Sequence, residues 1–147
     1  MPASAENLEV VRRIFREWES GEYSSSDWAD PEIEFLIDTG LDRQRVTGVK
    51  AMAEAWGAFL DTWEGWHVRV EEFREIGQDR VLVLLEPAAR AQGSGLEIGQ
   101  MHTKGANVFH LRDRKVKKLH LYFDRERALA DLGMTESDLS PSEGEGP

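Results

Sequence analysis

The stretch Val108–Gly133, VFHLRDRKVKKLHLYFDRERALADLG, decides the fold. Up to Phe123 it reads as two β-strands joined at an Arg-Asp-Arg turn. Strand alternation then gives way at Asp124 to helical spacing at Ala128, Leu129 and Leu132, with Gly133 as the stop. Two paired strands that turn directly into a short closing helix make a strong topological marker.

Working outward, three more segments rich in β-formers precede or overlap this hairpin: Trp66–Ile76, Val81–Gln92 and Glu97–Leu111. Gly77-Gln78-Asp79 and Gly93-Ser94-Gly95 punctuate them. Ala5–Ser20 places Leu8, Val11, Ile14, Phe15 and Trp18 at three- and four-residue steps, which predicts an amphipathic helix. Ile33, Phe35 and Ile37 alternate against Glu34 as a half-buried strand does. Asp38–Gly48 is polar and reads as a loop, and Val49–Trp63 is a second long helix with Thr47 as its N-cap. The order α, β, α, then four strands predicts an α+β domain with helices packed on one face of an antiparallel sheet.

A chain of 147 residues suits one domain, and 40% hydrophobic residues with five Trp and six Phe supply its core. The absence of cysteine excludes disulfides, thiolate zinc sites and a cysteine nucleophile. With no signal-like or membrane-spanning apolar run, a cytoplasmic protein is the expectation. The formal charge is −10. Residues 135–147 carry four acids and no bases and read as an acidic, disordered tail, so the domain is expected over 1–134. The acidic balance argues against nucleic acid as a partner.

The segments ENLEVVRRIF, DPEIEF, TGVKAMAEAW, the GSG turn and LRDRKV…LYFDRERALADLG together resemble the nuclear transport factor two-like superfamily, and within it the SnoaL-like, polyketide cyclase-like group. The resemblance implies a cone: helices against a strongly curved sheet, an apolar cavity at one end, and frequent homodimers through the outer sheet face. The superfamily holds cyclases, ketosteroid isomerases, dehydratases and non-catalytic binders, so the fold selects no reaction. It implies no cofactor.

Relatives usually carry Gly where this chain has Arg114, in a three-residue loop ending in a bulge. A two-residue loop, Asp113-Arg114, would slip every pairing by one and set Asn107 opposite His120. The hydrophobic pattern favours the three-residue loop with Asn107 opposite Leu119, because it gathers Asn107, Phe109, Leu111, Leu119, Leu121 and Phe123 on one face. It leaves His102, Lys104, His110, Lys118, His120 and Tyr122 on the other. With Trp18, Phe35 and Trp56, the first face gives the expected ligand pocket: Trp18, Phe35, Trp56, Asn107, Phe109, Leu119, Leu121 and Phe123.

Carried over by position, the isomerase base falls near Phe35–Leu36, its tyrosine near Ile14 and its strand acid near Asn107, so two of three positions are apolar. Asp38 reads as a solvated loop residue. Asn107 is open to two readings, a ligand-orienting amide or one satisfied by backbone or water. His102 and Asp124 would face each other as an imidazole–carboxylate pair, while Asp124 alone suits a helix cap. Glu86, between VLVLL and Pro87, becomes an acid candidate only if burial raises its pKa. Tyr122 reads as a dimer or outer-sheet contact. No three histidines converge, so no metal is expected. The leading expectation is therefore an apolar cavity for a small hydrophobic molecule, with a lyase or isomerase and a dimeric association domain as alternatives.

Overall fold

The computed structural model describes residues 3–20, 27–38, 43–61, 63–91 and 104–135, with the side chains of 3–5, 63–67 and 87–91 left out. Three helices, α1 (Ala3–Glu19), α2 (Val49–Asp61) and α3 (Arg125–Asp131), accompany six strands. The strands are β1 (Ala29–Asp38), β2 (Arg43–Thr47), β3 (Trp63–Ile76), β4 (Arg80–Ala91), β5 (Gly105–Arg112) and β6 (Lys115–Tyr122). The expected GSG turn, His102 and the tail beyond Thr135 lie outside the described residues.

The strands form one sheet in the order β2-β1-β6-β5-β4-β3. It is mixed rather than purely antiparallel, because β1 runs parallel to β6, with Phe35 opposite Leu119 and Ile37 opposite Leu121. Register shifts between Glu64 and His67, between Val70 and Glu72, and between His110 and Leu111 bend the sheet, as bulges do.

The polar segment before α2 is not all loop: Arg43–Thr47 is an edge strand on β1. Its Arg-Gln-Arg sequence is exposed, which protects an edge from pairing with other chains. The residue before α2 is Gly48 rather than a Thr47 cap. Its φ of 99° suits glycine, its N–H donates to Ile33 O at 2.8 Å, and its carbonyl accepts from Met52 N at 2.9 Å.

The hairpin corrects the expected register. Asp113 and Arg114 both have positive φ, 54° and 65°, so the loop has two residues, with Arg112 opposite Lys115. One extra residue at Lys117 then shifts the ladder, setting Asn107 opposite Leu121 rather than Leu119 or His120. Two one-residue slips in the same direction restore the expected facing. Phe109, Leu111, Leu119 and Leu121 thus share the inner face.

That inner face packs beneath α1 and α2 through Val11, Ile14, Phe15, Trp18, Met52 and Ala55. Phe15 makes edge contacts with Trp18, Phe73 and Phe109 at centroid distances of 5.0, 5.8 and 5.9 Å. Burying an aliphatic or aromatic side chain of this kind stabilises by roughly 1.5–3 kcal/mol. The outer face carries a second, smaller core of Leu82, Leu84, Ala106, Val108 and Tyr122 under Ala128 and Leu129 of α3. No described helix is long and apolar enough to cross a membrane.

Candidate functional site

The alternation of β5 and β6 turns Asn107, Phe109, Leu119 and Leu121 inward, while β1 adds Phe35 and the helices add Trp18 and Trp56. Rings dominate this face. Trp18 lies 5.9 Å from Trp56, Phe35 lies 6.2 Å from Trp56, and Trp56 stacks on Phe59 at 5.7 Å with only 7° between planes. Phe59 meets Phe123 edge-on at 5.4 Å, so Phe123 joins the same aromatic run. The eight residues expected at the pocket lie along this inner side of the sheet.

Asn107 is the polar member, 7% exposed, with Val83 and Leu121 as its neighbours across the ladder. Among the described residues its amide makes no side-chain hydrogen bond. An amide in apolar surroundings is costly unless something satisfies it.

The buried aspartate and histidine lie on the opposite side, while Glu17 of α1 keeps one buried carboxylate oxygen without a hydrogen-bond partner among the described residues. Asp38 is not a solvated loop residue: it ends β1, is 2% exposed, and faces outward beside Tyr122. Its Oδ2 accepts from Arg43 (Nη2 at 3.2 Å), approaches Arg127 Nε at 3.3 Å, and stands 3.6 Å from His120 Nε2. His120 is 6% exposed, and its Nε2 is buried without a hydrogen-bond partner among the described residues. Burial lowers its pKa to about 4, the Arg43 charge adds to that, and the Asp38 carboxylate opposes it. The imidazole stacks on Tyr122 with centroids 3.8 Å apart. Tyr122 in turn donates its hydroxyl to Asp131 on α3 at 2.8 Å, and burial with this carboxylate pushes the phenol up.

Two readings narrow here and the Asp124 cap holds. Tyr122 is an outer-sheet contact, buried under α3, and not an exposed dimer contact. Glu86 is an outer-face carboxylate bonded by Lys104 (2.9 Å) and Arg69, which lower its pKa to about 2. It is ionised at neutral pH and cannot serve there as an acid. Asp124 caps α3, accepting from Glu126 N at 3.1 Å. Its proposed partner His102 lies outside the described residues.

The Asp38–His120 pairing went unnoticed in the sequence, although a signal existed. Continuing the Ile33-Phe35-Ile37 alternation by one residue puts Asp38 on the face that also carries His120 and Tyr122. Beside this cluster, Lys104 and Arg125 join Glu71 at 2.9 and 2.8 Å. Arg125 also donates to Leu85 O (3.2 Å) and Gly105 O (3.3 Å), fastening the start of α3 to β4 and β5.

The same arrangement of helices and curved sheet recurs in solved structures. A protein from Jannaschia sp. CCS1, provisionally assigned as a SnoaL-like polyketide cyclase, superposes with a TM-score of 0.66 at 22% identity, over 90% of this chain and 92% of that one. This is the nuclear transport factor two-like fold. A nuclear transport factor two-like protein of unknown function from Mesorhizobium loti gives 0.64 at 18% identity, over 83% and 93% of the two chains. A hypothetical protein with a ketosteroid isomerase-like fold from Catenulispora acidiphila, in complex with trimethylamine, gives 0.62 at 14% identity, over 90% and 98%. No protein-family model matches the sequence, and no curated protein matches it. With this fold, the inner face is the concave side of the sheet and α3 covers the convex side.

Proposed function

We propose that the protein binds a small, neutral, hydrophobic molecule on the concave face, held by Trp18, Phe35, Trp56, Phe109, Leu119, Leu121 and Phe123 and oriented by Asn107. The observation that carries this reading is the pairing of a ring-lined apolar face with one amide residue, Asn107, that is only 7% exposed. Apolar walls with a single placed polar group are the usual composition of a small-molecule site. The amide N–H of Asn107 suits a ligand carbonyl, and flat rings suit the Trp and Phe faces. The reading takes the protein to be cytoplasmic and to act as a homodimer.

A lyase or isomerase on the same face would need a titratable group beside the ligand. His120 and Asp38 point to the convex side, which leaves Glu17 of α1, with its one buried carboxylate oxygen, as the titratable group such a reading would have to use. The lack of an acid–base pair beside Asn107 among the described residues favours binding over turnover. A pure association domain is disfavoured because α3 already covers the apolar part of the convex sheet.

Thermal unfolding with 9-fluorenone and a steroid enone tests the reading. Binding raises the midpoint with ligand concentration, by the equivalent of about 2.7 kcal/mol at a hundredfold excess over Kd. Asn107→Leu should weaken that shift by about tenfold in Kd. No shift with either probe would remove the proposal. Sedimentation of the free protein tests the dimer.

A further inference from the structure

Asp38 collects more cations than one carboxylate can serve equally. Arg43 of β2 reaches Oδ2 through both Nε (3.3 Å) and Nη2 (3.2 Å), whereas Arg127 of α3 approaches it through Nε alone at 3.3 Å. His120 sits behind them at 3.6 Å with a buried, unpartnered Nε2. The groups around this imidazole are Asp38 from β1, Arg43 from β2, and Lys118 and Tyr122 from β6; α3 reaches it only through these, by Arg127 on Asp38 and Asp131 on Tyr122. From β5 its partner is the apolar Val108, with His110 further along that strand. Helix α3 is short, seven residues, and is tied to this cluster at two points: Arg127 to Asp38 and Asp131 to Tyr122.

We propose that Asp38, His120 and Arg127 form a proton-operated latch, which holds α3 on the convex face and releases it when His120 takes up a proton. A buried imidazolium adds a third cation to the same carboxylate. Arg127 has the single, half-exposed contact, so it is the partner that leaves for water at least cost. The sign also follows from linkage. Lifting α3 takes Arg127 off Asp38, which leaves that carboxylate freer to hold the imidazolium, so the lifted form binds the proton more tightly and acid favours it. Release uncovers Leu82, Leu84, Ala106 and Val108, an apolar sheet face that is dry while α3 is down.

Hydrogen exchange of the full chain at several pH values, corrected for intrinsic rates, tests this together with imidazole NMR of His120. The wild type should lose protection at residues 125–134 by at least tenfold between pH 7 and 4.5, while β4 and β5 keep theirs. That loss should fall in the interval between the His120 titration in the folded chain and the ordinary imidazole value near 6.5. Arg127→Ala should be loosened already at pH 7, and His120→Gln should keep α3 protected across the range. Simultaneous loss in α3 and β4 would overturn the latch, as would pH-dependent loosening in His120→Gln. If that variant does not fold, a wild-type loss lying outside the interval between the folded-state His120 titration and its ordinary value near 6.5 overturns it equally.

Discussion

His120 Nε2 and Asp38 Oδ2 stand 3.6 Å apart on the convex side of the sheet, both buried, on strands that run parallel. The imidazole is nevertheless neutral near pH 7, because burial and Arg43 outweigh the carboxylate. Its pKa in the folded chain, about 4, lies below the ordinary 6.5. Between those values the unfolded chain binds the extra proton, so stability is complete above about pH 6.5 and falls as the pH drops towards 4. Urea unfolding over that window should show a loss on the order of 3 kcal/mol or less from this group. His120→Gln should remove that part of the slope.

Asp38 itself is the anion on which Arg43, Arg127 and His120 converge. Asp38→Asn keeps the shape and removes the charge. Because both guanidinium groups are half-exposed and can return to water, the expected loss is about 1–3 kcal/mol rather than the cost of stranding a fully buried ion. A urea midpoint unchanged from wild type would contradict the assignment.

The hairpin tip offers a gain. Asp113 and Arg114 both occupy the left-handed region, and an Asp-Gly pair suits such a loop far better. Arg114→Gly gives up an exposed ion pair with Glu6 at 3.2 Å, worth little. The net expectation is a stabilisation of about 0.5–1 kcal/mol by urea unfolding.

Phe15 is the hub of the ring contacts beneath α1. Phe15→Ala should cost about 3–5 kcal/mol, since a hole surrounded by Trp18, Phe73 and Phe109 cannot collapse fully. By contrast, Asn107→Leu should leave the urea midpoint within about 1 kcal/mol or raise it, because it replaces a buried amide by an apolar group. Measured together, the two variants separate a residue that holds the fold from one reserved for a ligand.

The sequence legibly divided the sheet into faces, because alternation is a local property and Phe109, Leu119 and Leu121 are unambiguous. Register was not legible. The local pattern fits a loop one residue longer than the real one, and the extra residue at Lys117 leaves no mark beside Lys115 and Lys118. The strand Arg43–Thr47 escaped because an edge strand buries little and its arginines look like loop residues. The buried cluster escaped for another reason. Nothing local says that α3 folds back over the convex face, and only that fold-back turns Asp38, His120 and Tyr122 from surface groups into interior ones.

The parallel pairing of β1 with β6 sets the order in which this protein can be completed. Strand β1 can pair early with β2 and lie under α2, but its other edge finds its neighbour only when β6 has been made, so α1 and the centre of the sheet must wait with apolar sides exposed. Assembly of the sheet's centre is therefore a late event, and shortening the chain before β6 should yield aggregation rather than a smaller stable domain.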